Sequence, residues 1–459
     1  MPPPADQDVL QLSALEQAAE IRRGSLGSEE LVTLYLERIA ERDDRLTAFV
    51  TVLRRSALRA ARDWDRRRRR GEPLPVYAGV PTGIKDIDPV RGAFVRAGSR
   101  SMRWVVAPFD AGSVRRIRKG GMVLLGKTTT SELAILPVTE PDIHRPTRNP
   151  WDRERTAGGS SGGAACAVAA GLLPIAHASD GAGSIRIPAA FCHLYGFKPS
   201  RDGMPNFYAA SDRVGLAATG CVAQTVRDAA AMLDVLRGLP GPDAGETSWL
   251  RRCEQPPGAL RVRLVLDSPL VTVDRAIRDA AERAARTLVD LGHHVEVGPA
   301  LAVGTVDEFL PLMQRLIANV PVVSRRLLQP LTAWMHREGK RLTQRQAAAL
   351  LRDLSARVLE WFGDWDLLLT PTVGVLPPPV GAFDGLAPPA MFEAVARLGA
   401  FTAPFNLSGQ PAASIPWGVV EGRWPFGLQV VGPPGGDLRV LQISRQVEVA
   451  APWRHRQPT

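Results

Sequence analysis

The chain has 459 residues, a length that suits one large domain or two to three ordinary ones. Its 45% hydrophobic and 23% charged residues are typical of a globular protein and exclude a disordered chain, a collagen or a coiled coil. The 57 lysines and arginines exceed the 47 acids, but apart from the run 66–70 the basic residues alternate with acids on helical segments, which argues against a nucleic-acid protein.

The first ten residues lack the basic and apolar regions of a signal peptide. The longest nearly apolar run, 164–178, is too short to span a bilayer. The four cysteines lie far apart with no CxxC spacing, which argues against a disulfide scaffold and a structural zinc site: Cys166, Cys192, Cys221 and Cys253. We therefore expect a cytoplasmic protein that makes no membrane contact.

The N-terminal segment 1–75 is predicted to be helical and to pack on the remainder of the chain. Ser28, followed by Glu29 and Glu30, is a helix-start signal. The apolar residues that follow share one helical face: Leu31, Leu34, Tyr35 and Ile39.

The core segment 76–236 consists of short apolar runs separated by glycine-rich turns. Residues 121–128 match the phosphate-binding pattern GxxxxGK[ST], but their intervening side chains are Met, Val, Leu and Leu. Such side chains predict a buried strand preceded by a helix, so we reject nucleotide binding.

Residues 159–163 match the nucleophile-elbow pattern GxSxG, with Ser161 at its tip. That elbow follows a strand directly, whereas 149–155 is polar and predicts a turn. None of the seven histidines stands in a recognisable triad context. A Ser-His-Asp hydrolase is therefore disfavoured.

Two turns rich in small residues, 158–163 and 181–184, could direct several backbone amides at one point, as an oxyanion requires. Upstream, Lys85 lies in a mostly uncharged segment that would desolvate it. Each feature also has a plain structural interpretation, because glycine-rich turns are common and Lys85 could form a surface ion pair with Asp86. The residues alone leave both interpretations open.

Beyond the core, Thr225 and Asp228 predict a capping box that opens a helix ending at Leu236. Residues 237–259 contain many Pro and Gly residues and predict a connector. The Pro-rich stretch 377–389 predicts a long loop, which could act as a lid.

A βαβ unit follows the connector, with a strand over 260–267, a helix over 274–291 and a strand over 295–297. This alternation predicts an α/β fold in which helices cover both faces of a central mixed, mostly parallel sheet. We expect residues 237–459 to complete the same large domain as the core.

The segments 147–163, 179–188 and 196–199 read TRNPWDRERTAGGSSGG, SDGAGSIRIP and GFKP. Together they closely resemble the amidase signature family of hydrolases. The intervals of 75 residues from Lys85 to Ser160 and 24 from Ser160 to Ser184 agree with that resemblance. Later segments extend it to about Glu448: 225–228, 366–372, 406–413 and 427–432.

The resemblance implies a Ser-cisSer-Lys triad in which Ser184 is the nucleophile, Ser160 the bridging serine and Lys85 the base. The bridging serine would follow a cis, non-proline peptide bond. Such a mechanism requires a neutral lysine, because only an unprotonated amine can take the serine proton. The oxyanion hole would be formed by backbone amides of the second turn: Gly181, Ala182, Gly183 and Ser184.

Four further positions match family residues that brace the site: Ser161, Ser179, Asp180 and Arg186. Leu136 and Pro137 stand where the family's pattern differs and are expected to narrow the substrate pocket. Ala182 occupies a position that is more often glycine, so its φ must be an ordinary one. The resemblance implies no metal and no organic cofactor.

The expected reaction is hydrolysis of a small-molecule amide, and the resemblance also allows a homodimer. The alternative within the family is a glutamine-amidotransferase A-type subunit, which releases ammonia from glutamine in a complex. A catalytically silent scaffold on the same fold is the alternative from another class.

Overall fold

An eleven-stranded mixed sheet is the framework of the protein. The structure, a computed structural model, describes residues 9–205, 214–239 and 245–454. The strands in chain order are β1 Phe49–Val52, β2 Pro81–Lys85, β3 Val123–Thr128, β4 Arg148–Asn149, β5 Asp152–Thr156, β6 Ile175–Asp180, β7 Tyr195–Lys198, β8 Ala218–Ala223, β9 Arg261–Leu264, β10 His294–Val297, β11 Leu367–Pro371, β12 Ala412–Val420 and β13 Trp424–Val431.

The order across the main sheet is β1-β3-β2-β6-β8-β7-β12-β13-β11-β9-β10, and β4 and β5 form a separate hairpin. Four neighbouring pairs are parallel: β3–β2, β2–β6, β11–β9 and β9–β10. The other six pairs are antiparallel.

The mixed sheet with helical cover is confirmed, but the expected parallel majority is wrong. The prediction extended the local geometry of the βαβ unit to the whole sheet. A tight turn over 421–423 joins β12 to β13, and strands joined by so short a turn must run antiparallel. In addition, β8 lies between β6 and β7 and runs opposite to both.

Helices flank the sheet along the whole chain. They are α1 Ala14–Arg23, α2 Ser28–Arg42, α3 Arg54–Arg69, α4 Gly112–Lys119, α5 Gly162–Ala169, α6 Arg186–Phe191, α7 Val226–Arg237, α8 Trp249–Arg252, α9 Arg275–Asp290, α10 Val306–Asn319, α11 Pro330–Glu338, α12 Gln344–Phe362, α13 Pro388–Ala396, α14 Pro404–Leu407 and α15 Asp437–Ala450. Within the described residues, none of these helices combines the length and apolar character needed to cross a bilayer.

The buried apolar side chains form two large clusters. The larger cluster joins the sheet to the N-terminal helices and to α7, α9 and α15. The second lies over the carboxyl ends of β2 and β6 and is built mainly from α10 to α13. The functional residues described below lie between these two clusters.

Helix α7 begins as predicted at Thr225, whose hydroxyl accepts a hydrogen bond from the amide of Asp228 at 3.0 Å. The reciprocal half of the expected capping box is not formed. The Asp228 carboxylate instead accepts from the amides of Ala14 and Leu15, at 3.3 and 2.9 Å. One buried acid therefore holds the start of α1 against α7.

Several other predicted elements are confirmed. The helix from Ser28 buries Leu31, Tyr35 and Ile39 and half-buries Leu34. The N-terminal segment is not entirely helical, because Phe49–Val52 forms β1 on the edge of the sheet. Residues 123–128 form the buried strand β3 after α4. The βαβ unit consists of β9, α9 and the parallel β10. Of the predicted connector, residues 240–244 lie outside the described residues, and α8 forms within the remainder.

The predicted loop 377–389 is shorter than expected, because α13 begins at Pro388, and the first part of the loop is hydrogen-bonded to the β4–β5 hairpin. The Thr156 amide donates to Pro378 O at 3.0 Å, and the Val380 amide donates to Glu154 O at 2.9 Å. The segment 149–155 was predicted to be a turn, but most of it belongs to β5. These hydrogen bonds join the loop to this strand. The four cysteines are buried, and none of them forms a disulfide.

Candidate active site

Two parallel strands bring charged residues to one edge of the sheet. Strand β2 ends at Lys85 and strand β6 ends at Asp180, and the two strands pair in parallel through Gly83 and Ala176. Because parallel strands present their carboxyl ends at the same edge, the residues after both strands converge there.

The Lys85 side chain is completely buried. Its Nζ lies 2.7 Å from Ser160 Oγ, 3.1 Å from Ser179 Oγ and 3.2 Å from Ser179 O. Burial lowers the pKa of Lys85 to about 7, although Asp180 and Asp88 oppose the shift. A neutral amine has two N–H donors and one lone pair, so Nζ can donate to both Ser179 oxygens and accept from Ser160.

Asp86 does not pair with Lys85. Its carboxylate lies 3.0 Å from Lys127 Nζ in a buried ion pair. The alternative of a surface ion pair between Lys85 and Asp86 is therefore wrong. Both residues are buried, and their side chains contact different partners.

The peptide bond between Gly159 and Ser160 is cis. Thr139 supports the turn on both sides, since its hydroxyl donates to Gly158 O at 2.9 Å and accepts from the Gly162 amide at 3.2 Å. A Cβ on Gly159 would lie 2.7 Å from the Val138 backbone. The glycine-rich sequence here allows the turn to lie directly on a neighbouring segment.

Ser161 links this turn to the neighbouring segments. Its hydroxyl donates to Ser179 O at 3.1 Å, and its amide donates to Ser184 O at 3.2 Å. Ser179 in turn contacts Lys85, so the two predicted supporting serines connect the loops that carry Lys85, Ser160 and Ser184.

Ser184 lies in the short turn between β6 and α6, and its side chain is buried. Asp180 Oδ1 accepts from the Gly183 amide at 2.7 Å. The expectation that Gly183 donates to an oxyanion is therefore not supported, because its N–H is already engaged. The amides of Gly181, Ala182 and Ser184 have no acceptor among the described residues.

Among the residues that the structure describes, Arg186 has the largest fully buried side chain, and it contacts this turn through Asp180. Its guanidinium binds both oxygens of Asp180 at 2.9 Å. It also donates to Thr402 O, Gln429 Oε1 and Asn406 Oδ1. Arg186 keeps the pKa of Asp180 well below its usual range, against the effect of burial.

Three of these partners were not identified as site residues from the sequence. Asn406 and Gln429 lie in segments that carry the family resemblance, which was the available signal. Thr402, whose hydroxyl donates to Ala182 O at 2.7 Å, lies outside those segments. His177 was also missed, and its Nδ1 accepts from the Lys85 amide at 3.4 Å.

Two cavities adjoin the site. The larger, of about 270 Å³, is lined by Ser160, Ser179 and Gly181 and otherwise by apolar residues. The smaller, of about 60 Å³, is lined by Ser184, Ala182 and apolar residues. No charged side chain lines either cavity among the described residues.

The two predicted pocket residues have different positions. Pro137 lines the smaller cavity, whereas Leu136 lines neither and packs in the second core cluster. Ile135 lines both cavities instead. Ala182 keeps a negative φ, so the alanine in the turn is accommodated without strain. In the described part of the chain, His, Cys, Asp and Glu do not gather in a group of three that could hold a metal ion.

The sequence matches the amidase family over residues 30–441. It is 34% identical to the 6-aminohexanoate-cyclic-dimer hydrolase of Pseudomonas sp. strain NK87, over 97% of this chain and 96% of that protein. A solved structure of a 6-aminohexanoate cyclic dimer hydrolase superposes with a TM-score of 0.89 and 31% identity, covering 98% of this chain and 99% of the other. A bacterial aryl acylamidase superposes with a TM-score of 0.86 and 28% identity, covering 98% of each chain.

Proposed function

Because the chain belongs to the amidase signature family, we propose that it hydrolyses a small-molecule amide through an acyl-enzyme on Ser184, activated by Ser160 and Lys85. One observation carries the proposal. The buried Lys85 amine, whose pKa burial lowers to about 7, lies 2.7 Å from the Ser160 hydroxyl. An amine that is substantially neutral near pH 7 can act as a base.

The proton moves along this contact during acylation. Ser184 Oγ attacks the carbonyl carbon and gives its proton to Ser160 Oγ, while Ser160 gives its own proton to Lys85 Nζ. When the C–N bond breaks, the leaving nitrogen takes a proton from Ser160, which recovers one from Lys85. Water then attacks the carbonyl carbon of the acyl-enzyme and gives a proton to Ser160, which passes its own proton to Lys85. The bond between this carbon and Ser184 Oγ breaks, Ser184 Oγ takes a proton back from Ser160, which recovers one from Lys85, and the acid is released.

The negative charge that develops on the carbonyl oxygen needs donors nearby. The amides of Gly181, Ala182 and Ser184 are available for that purpose, since no acceptor among the described residues engages them. Removing one such donor typically costs about 2.7–4 kcal/mol of transition-state stabilisation. Asp180 and Arg186 would maintain the shape of the turn rather than contact the substrate.

The apolar lining of both cavities speaks against the glutaminase alternative. Glutamine carries an α-ammonium and an α-carboxylate, which need ionic or hydrogen-bonding partners when they leave water. No charged side chain lines either cavity among the described residues. An uncharged amide is the better match for this site.

Covalent labelling tests the nucleophile directly. After treatment with phenylmethylsulfonyl fluoride, we expect peptide mass spectrometry to find the adduct on Ser184, and Ser184→Ala to abolish both labelling and acetanilide hydrolysis. Ser200→Ala removes a serine hydroxyl outside the site and should label normally. An adduct on another serine, or hydrolysis retained by Ser184→Ala, would refute the proposal. An unlabelled, inactive wild-type protein would instead favour the silent scaffold.

A further inference from the structure

The two cavities meet at a common wall beside the proposed nucleophile. Ile135 and Met313 line both, so these two side chains separate the compartments. Ser160 lines only the larger cavity, whereas Ser184 lines only the smaller one. The two serines therefore face different spaces.

If the proposed mechanism holds, this arrangement determines the orientation of the bound amide, that is, which half of it lies in which cavity. Ser160 must reach the leaving nitrogen to return its proton, so that nitrogen lies on the side of the larger cavity. The acyl substituent is bonded to the same carbon and must point away from the nitrogen. It consequently enters the smaller cavity.

The volumes then limit each half of the substrate. A cavity needs roughly 10–15 Å³ of this kind of volume for each water-sized group, so the smaller cavity holds about four to six non-hydrogen atoms and the larger about twenty. The volumes of the smaller and larger cavities are about 60 and 270 Å³. The acyl half is thus short and the amine half is bulky.

The exposure of the lining residues agrees with an orientation in which the amine half lies in the larger cavity. The larger cavity is bordered by exposed residues, Val106 at 50% and Phe109 at 48% among them. Every residue that lines the smaller cavity is buried or half-buried. A released amine can therefore leave directly to solvent, and water can enter by the same route while the acyl group stays enclosed.

We propose that the preferred substrates are uncharged amides of short-chain acids whose nitrogen carries a bulky, apolar substituent, such as an arylalkyl group. This inference rests on the proposed function and adds the substrate class. Ile135 and Met313 divide the acyl site from the amine site, and Phe392 is a large side chain that lines the acyl site.

Two isomeric amides test which half of the substrate each cavity accepts. N-(phenylbutyl)acetamide has the short acyl half and the bulky amine half, and N-methyl-phenylpentanamide reverses them with the same atoms. We expect kcat/KM to favour the acetamide at least about tenfold, because several carbons exceed the acyl site and even one can cost about 1–3 kcal/mol. Equal rates or the reverse preference would overturn the inference.

A variant of the acyl site tests the residues. Phe392→Ala should lower the ratio of the two kcat/KM values at least about fivefold by admitting the longer acyl group. Phe362→Ala is the matched control, since Phe362 is similarly buried but lines neither cavity. An unchanged ratio in Phe392→Ala, or an equal change in Phe362→Ala, contradicts the assignment.

The failure of the inference can be distinguished from that of the proposed function. If both isomers are hydrolysed without the expected preference and Ser184 is labelled, the substrate class alone is wrong. Labelling of Ser184 with hydrolysis of neither isomer also rejects the substrate class. If Ser184 is not labelled and neither isomer is cleaved, the proposed function itself fails.

Discussion

Asp180 Oδ1 accepts a hydrogen bond from the Gly183 amide at 2.7 Å, whereas the amides of Ala182 and Ser184 on either side have no acceptor among the described residues. The same carboxylate binds the Arg186 guanidinium through both oxygens. One buried ion pair thus determines the shape of the turn that carries Ser184.

Replacing Asp180 by Asn should affect both folding and catalysis. The buried Arg186 loses its charged partner, and breaking such a pair on one side typically costs about 3–5 kcal/mol of unfolding free energy. We expect kcat to fall more than KM rises, because the distorted turn weakens oxyanion binding mainly in the transition state. Urea denaturation and steady-state kinetics measure the two effects.

Asp234→Asn supplies the control for this variant. Asp234 accepts from the Ser248 hydroxyl and the Trp249 and Leu250 amides, away from the site. It should lose stability while keeping its kcat per folded molecule. An Asp180→Asn enzyme with unchanged kcat would contradict the role given to the turn.

The two glycines of the turn should respond differently to alanine. Gly183 has a φ of 123°, and a Cβ there would lie 2.2 Å from Thr402 Oγ1, whereas a Cβ on Gly181 meets nothing within 4 Å. Gly183→Ala should therefore lose about 1–3 kcal/mol of unfolding free energy, and Gly181→Ala should lose much less. Thermal and urea unfolding compare them, and equal losses would contradict this geometry.

Local patterns in the sequence were sufficient for single elements of the fold but not for the order of the sheet. The strand Val123–Thr128 and the helix Val226–Arg237 follow from apolar runs, caps and glycines near their ends. The direction of β8 depends on which strands flank it, which is a long-range property. For that reason the parallel majority was predicted wrongly.

The site was predicted unevenly for a similar reason. Lys85, Ser160 and Ser184 are themselves motif residues. The structure brings the three segments that contain them together. The engagement of the Gly183 amide by Asp180 depends on the path of the turn, which spacing alone does not show. Thr402 joins the site through tertiary packing across more than two hundred residues, and no local pattern marks it.

Asp228 is expected to stabilise the N-terminal helices without affecting catalysis. Asp228→Ala leaves the buried amide of Ala14 and the half-buried amide of Leu15 without an acceptor, which should cost about 1–3 kcal/mol of unfolding free energy. Asp228→Asn retains one acceptor oxygen and should lose less. Urea denaturation tests this order, and a large fall in kcat for folded Asp228→Ala would show that the residue does more than stabilise.

The pH dependence of acylation should identify the base. Lys85 must be neutral, and burial lowers its pKa to about 7. Since the active form is the deprotonated one, kcat/KM for an uncharged amide should rise about tenfold per pH unit below that value and become level above it. A second buried lysine, Lys198, also has its pKa lowered to about 7 by burial, so the profile alone does not distinguish them.

Paired variants resolve this ambiguity. Lys198 Nζ donates to Pro199 O at 2.9 Å, and among the described residues no hydrogen bond joins it to Ser160. Lys198→Met should therefore keep the inflection near pH 7 in kcat/KM, while Lys85→Met should lose activity at every pH from 5 to 10. If Lys198→Met abolishes the inflection, or if wild-type kcat/KM is flat over this range, Lys85 is not the group whose deprotonation controls acylation.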